Sequence, residues 1–161
     1  MASGLAKPKA ESLVAKEWDL YTWARQTATL LREGRVGDLD LAAVAEEIDD
    51  VGEEQYLRLE SALRVLMHHL LKWDHQPVAR SRSWAITVRE QRRRVERQLR
   101  KNPGLKGRLD EALADAWEDA RDEAARETGL PTRTFPADSP YAFAEIMERP
   151  IVWPGDETRV G

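Results

Sequence analysis

The chain has 161 residues, with 25 Lys and Arg against 29 Asp and Glu, three His, six Trp and no Cys. Charged residues make up 34% and apolar ones 42%, no apolar run approaches the roughly 20 residues that span a bilayer, and without Cys there is no disulfide framework, zinc knuckle or thiol nucleophile. The tryptophans and leucines exclude a disordered chain, and this length can bury about 70% of its unfolded surface, so one soluble cytoplasmic domain without membrane contact is expected.

Residues Met1–Ala10 carry small residues, two Lys and one Pro but no apolar stretch. They read as a loose arm without a secretory signal. A single domain is expected over 11–150, with a polar tail over 151–161. The first helix is predicted over roughly Glu17 to Glu33, with Leu20, Tyr21, Ala24, Ala28 and Leu31 on one face and Gly34 at its stop. Trp23, Thr27 and Leu30 form a flanking stripe. The second helix starts near Asp38 or Asp40, either of which can cap it, and its pattern persists to Trp73. Gly52 divides it into an acidic part, Leu41 to Val51, and an apolar part, Glu53 to Trp73. A break or a kink is predicted there, because Gly costs about 1 kcal/mol relative to Ala inside a helix.

Tyr56, Leu59, Leu63, Leu66, Leu70 and Trp73 follow one another at steps of 3, 4, 3, 4 and 3, the spacing of a bundle seam. This segment is the expected central helix. Pro77 closes it, and Ser81 or Ser83 can cap a third helix that ends near Asn102-Pro103-Gly104. There Trp84, Val88, Gln91, Val95 and Leu99 align, opposite Arg89, Arg93, Arg97 and Arg100. A fourth helix is predicted over Leu109 to Thr128, stopped by Gly129 and Pro131. Ser139-Pro140 opens a short fifth, with Ser as cap and Pro at the first helical position. The Pro131 to Pro140 segment reads as a connection that can pack Phe135 and Tyr141 onto the bundle. No stretch alternates with period two for the length of a strand, so the predicted class is an all-α bundle of four to five helices.

Several segments together resemble a known family. They are Asp19-Leu20-Tyr21-Thr22-Trp23-Ala24, His69-Leu70-Leu71-Lys72-Trp73, Gln76-Pro77, Arg80-Ser81-Arg82-Ser83-Trp84, Gln91-Arg92, Thr128-Gly129-Leu130-Pro131, Phe135-Pro136 and Ser139-Pro140-Tyr141. The family is a bacterial one of small all-helical proteins catalogued only as a domain of unknown function, the twenty-ninth of that kind. The resemblance covers about Asp19 to Ile146. It implies a helical fold and a bacterial cytoplasmic setting, and brings no activity, ligand or catalytic residue with it. A Cys often precedes the Pro-Tyr pair in the family pattern, whereas this chain has Ser139, so a shared chemistry cannot depend on that thiol.

Three features could carry chemistry. His68, His69 and His75, with Asp74, Glu46, Glu47, Asp50 and Glu54, are the candidate metal ligands, but His-x-x-x-His and Glu-x-x-His spacings are both absent, so no metal and no cofactor are expected. His69 falls at the edge of the buried face, whereas His68 is predicted to point to solvent. With Gln91 in the apolar stripe of its helix, and with Glu47, His69 reads as a buried polar cluster that fixes helix register; the alternative makes His69 a general base. Second, Arg80, Arg82 and Ser83 stand just before or at the start of a helix, where N–H groups and dipole favour an anion. Third, charge is segregated. Ala79 to Arg108 has eleven basic and two acidic residues, Leu109 to Glu127 eight acidic and two basic, and Asp38 to Glu60 nine acidic and one basic. The acidic helices are expected to neutralise the basic one.

No phosphate-binding loop, nucleophile elbow or dinucleotide fingerprint is present. The reading is a non-enzymatic module that contacts a protein partner or a second copy of itself. Anion or nucleic-acid binding through Arg80, Arg82, Arg89, Arg93 and Arg97 is the alternative, and a metal- or His-dependent enzyme the second alternative.

Overall fold

The computed structural model describes residues 13–156, and the arm expected at Met1–Ala10 lies outside them. Among the described residues there are five α-helices and no strand: α1 (Leu20–Arg32), α2 (Leu41–His75), α3 (Arg82–Lys101), α4 (Leu109–Thr128) and α5 (Phe143–Glu148). The protein is all-α. It divides into two compact units, Met1–Val51 and Gly52–Gly161.

In the first unit, Asp19 caps α1 by accepting the Thr22 N–H at 2.9 Å. The helix ends on Gly34, whose φ of 70° only glycine adopts without strain. Its N–H reaches the Leu31 carbonyl at 3.1 Å and that of Arg35 the Leu30 carbonyl at 3.0 Å, the paired bonds of a Schellman stop. The buried face differs from the predicted one. Trp23 and Thr27 are buried, whereas Leu20, Tyr21 and Leu31 are exposed. Two stripes competed on this helix, and the one holding the indole, with the larger apolar area to remove from water, is inside. At the start of α2, Asp40 accepts the Ala43 N–H at 3.1 Å. The helix then continues unbroken through Gly52. A penalty of about 1 kcal/mol at one residue does not stop a helix with good helix formers on both sides.

The second unit is built on the rest of α2. All six seam residues from Tyr56 to Trp73 are buried. The first five, Tyr56 to Leu70, share a core with Val88 and Val95 of α3, with Trp117 and the alanines 112, 116, 120 and 124 of α4, and with Phe135, Tyr141 and Ile146. Each fully buried leucine contributes about 1.5–3 kcal/mol. Burial goes beyond one face: Leu66, Met67, His68, Leu70, Leu71, Lys72 and Trp73 are all inside, so α2 is surrounded at its C-terminal end.

Contacts fix the helix directions. Gln98 donates to the Gln55 carbonyl at 2.9 Å, and the Lys72 ammonium lies 4.4 Å from the Trp84 ring centre, so α3 runs antiparallel to α2. Tyr56 meets Asp115 and Lys72 meets Glu127, so α4 runs parallel to it. Gly129, at φ 70°, stops α4 where predicted. The proline-rich connection packs Phe135 and Tyr141 into the core, and Trp117 Nε1 donates to the Ala137 carbonyl at 3.0 Å. The fifth helix starts at Phe143, later than Ser139-Pro140 predicts. Ser139 Oγ accepts the Tyr141 N–H at 3.2 Å in a local turn instead of capping a helix. Tyr141 is meanwhile anchored by its hydroxyl, which donates to Asp74 at 2.7 Å.

Candidate functional site

Two charged surfaces of the second unit behave in opposite ways. The first joins α2 to α4. Tyr56, Glu60, Arg64, His68 and Lys72 stand four residues apart on α2, matched by Asp115, Asp119, Glu123 and Glu127 on α4. Residues at that interval share one face of a helix, so parallel helices bring the two rows together. Tyr56 Oη donates to Asp115 Oδ2 at 2.6 Å, Arg64 pairs with Glu123, and Lys72 Nζ donates to Glu127 Oε2 at 2.5 Å. Arg108 closes the end, with its guanidinium carbon 3.7 Å from the Tyr56 ring centre and its nitrogens on Glu53 and Glu111 at 2.9 and 2.8 Å.

His68 sits inside this ladder, only 5% exposed, which corrects the expectation that it faces water. It lies opposite the leucine seam, but α4 covers that side. Nε2 is 3.3 Å from Glu127 Oε2 and Nδ1 is 3.8 Å from Glu123 Oε2, and Nε2 is buried without hydrogen-bonding geometry to either. Burial holds His68 below the usual imidazole range, against the pull of Glu127. Burial lowers His69 as well, although its Nδ1–H donates to the Val65 carbonyl at 2.8 Å. Burial raises the Glu60 carboxyl, with Arg64 opposing. Burial also pushes Glu127 upward, but the Lys72 hydrogen bond together with the charges of His68, Lys72 and His69 outweighs it and holds the carboxyl low. The ladder was legible as two rows of polar residues at intervals of four, a pattern masked by the leucine seam on the same helix.

The second surface is α3. Arg89, Arg93, Arg94, Arg97, Arg100 and Lys101 are exposed, and among the described residues none of them forms an ion pair. The neutralisation expected from the acidic helices does not reach them, since the acids that make interhelical contacts on α4 are directed at α2. A groove of about 650 Å³ runs between α3 and α2, with Arg94, Arg97 and Lys101 on its lip and Gln91 at its side. Another, of about 610 Å³, runs between α3 and the segment Pro150–Asp156. Arg92 positions that segment: its Nε and one terminal nitrogen donate to the Ile146 and Arg149 carbonyls at 2.9 and 2.7 Å, at the C-terminal end of α5.

The residues singled out from sequence fall apart into separate roles. Arg80 donates to the Trp73 carbonyl at 2.8 Å and lies 5.0 Å from the Trp73 ring centre. Arg82 holds Asp156 with two nitrogens, at 2.8 and 3.1 Å. Ser83 is exposed, and the cap of α3 is Ser81, whose Oγ accepts the Trp84 N–H at 3.3 Å. Gln91 is buried and His69 half-buried in the second unit, whereas Glu47 belongs to the first, where Lys16 reaches it at 2.9 Å. Among the described residues no group of three or more His, Asp or Glu is placed to hold a metal ion, and no helix is long and apolar enough to cross a membrane.

Fold and surface together define an all-α protein with one internally matched charged face and one unmatched basic face. The chain belongs to the family described as Domain of unknown function DUF29, which matches residues 17–151. No curated protein and no solved structure matches it.

Proposed function

We propose that this is a binding protein whose α3 docks a polyanion, nucleic acid foremost. The supporting observation is that six exposed cations on one helix lack ion-pair partners among the described residues, although carboxylates are abundant in the same unit. A phosphate backbone satisfies such a row by releasing its counterions, which makes the affinity steeply salt-dependent. The overall charge of −4 confines binding to this face. Labelled duplex and single-stranded oligonucleotides titrated at about 50 and about 200 mM salt test it, with an expected loss on the order of a hundredfold if four phosphates are contacted. Absence of binding at the lower salt overturns it.

A second reading rests on the first unit. Leu41, Ile48 and Val51 are more than half exposed at helical spacing, and the same unit exposes Trp18 at 89% and Tyr21 at 76%. Glu46, Asp49 and Asp50 flank the stripe, so it suits a basic amphipathic helix of a protein partner better than a second acidic copy. A Leu/Lys model helix is the probe. Binding lost in Ile48→Glu supports the reading, and binding indifferent to that change overturns it; a dimer in light scattering that Ile48→Glu dissociates assigns the stripe to self-association instead.

A further inference from the structure

Given α3 as a polyanion-docking helix, on which this inference rests, the groove beside it narrows the class of polyanion. Its floor is apolar, formed by Ala85 and Val88 of α3 with Ile151 and Trp153 of the returning segment, while Arg89 and Arg93 stand at its rim, with the Glu96 carboxylate further along α3 and Asp156 on the opposite side. Val88 is 1% exposed and Ala85 7%, so the floor is set in the packed core. Arg92, which shares the groove, is committed to the Ile146 and Arg149 carbonyls, and Arg82 to Asp156. These two hold the wall, and Arg89 and Arg93 remain for a ligand.

The combination of an indole, an apolar floor and two adjacent guanidinium groups fits one kind of phosphate polymer. A duplex stacks its base faces inward and offers a convex helix only phosphates, sugars and the base edges that line its grooves. It has no use for a concave apolar slot. A single strand exposes base faces, which stack on aromatic rings with little regard to sequence. Arg89 and Arg93, one helical turn apart, have Cβ atoms about 6 Å from each other, a separation suited to neighbouring phosphates of an extended strand. We infer that the groove between α3 and Pro150–Trp153 receives a single-stranded nucleic acid, with one unpaired base stacked on Trp153 and the flanking phosphates on Arg89 and Arg93.

The test uses the full chain and fluorescently labelled oligo-dT, oligo-U and a duplex of equal length, titrated by anisotropy at fixed salt. The single strands are expected to bind at least tenfold more tightly than the duplex. Trp153→Ala is expected to lose about 5- to 150-fold on single strands, with no change in the salt slope and little change on duplex, and Trp153→Phe to recover most of the loss. Arg89→Gln with Arg93→Gln, at two exposed positions that carry no packing, is expected to lower the salt slope by about 1.4 on single strands. It reads the same groove should Trp153→Ala fail to fold. Equal binding of duplex and single strand, or single-strand binding untouched by the arginine pair, overturns this inference and leaves the polyanion reading standing. Failure of every oligonucleotide to bind at low salt overturns both.

Discussion

The acidic helix α4 and the basic helix α3 carry opposite charge and belong to the same unit, yet they do not neutralise each other. The acids of α4 meet Tyr56, Arg64 and Lys72 on α2, and the row from Arg89 to Lys101 on α3 remains unmatched among the described residues. The difference lies in register. Parallel α2 and α4 keep rows of polar groups in step, each interval of four on one helix answering the same interval on the other. Charge counted along a helix therefore does not say where the charge is used. A matched row maintains the fold, and an unmatched one is available for a partner.

Substitutions on the two surfaces should separate these roles. The largest expected effect is on the ladder: Arg64→Ala leaves Glu123 and the half-buried Glu60 without their cation, and urea denaturation should show a loss of about 3 kcal/mol. Next, Arg93→Glu with Arg97→Glu should weaken oligonucleotide binding on the order of a hundredfold at low salt while leaving the denaturation midpoint in place. A smaller effect belongs to pH. Folding lowers the affinity of His68 and His69 for protons, so the unfolded chain takes up more protons just below the ordinary imidazole value. Stability should then fall as pH drops below about 6.5, by up to about 1.4 kcal/mol per unit for each histidine. Glu60, held high, gives the opposite slope, since its folded state favours the protonated form, and it acts above the ordinary carboxyl value. His68→Gln should flatten the neutral-range slope. The smallest effect is that of Arg97→Ala, within about 0.5 kcal/mol of the parent; a loss as large as that of Arg64→Ala would show that α3 holds the fold after all.

Periodicity made much of the second unit legible. The seam from Tyr56 to Trp73 lies where its 3-4 spacing predicts, and α4 spans Leu109–Thr128 as its alanine and leucine pattern and Gly129 foretell. What escaped was the side of each helix that a neighbour would cover. His68 lies across from the leucines, and no local pattern says that α4 returns to that side. The same holds for α1, where two apolar stripes offered two answers and the indole decided. Gln91 was legible as a buried amide because it interrupts an apolar stripe. The grouping of Glu47 with His69 was not a matter of periodicity at all, and the carboxylate is found on Lys16. The groove beside α3 needed the C-terminal segment to return, which depends on Arg92 reaching two carbonyls more than 50 residues away.

The alanines of α4 have a consequence of their own. Ala112, Ala116, Ala120 and Ala124 are each wholly enclosed, and a bare methyl is the thinnest side chain that still has fixed volume. Axial separation between packed helices, about 8–10 Å, follows the bulk of the groups between them, so these four methyls act as shims that set how close α4 lies. Only a near approach lets the short arm of Asp115 reach the Tyr56 hydroxyl. A leucine in place of Ala120 would act as a wedge, lifting the acidic row out of reach of its cations without touching any of them, and the plainest residues in the chain are thus the ones that gauge its electrostatics.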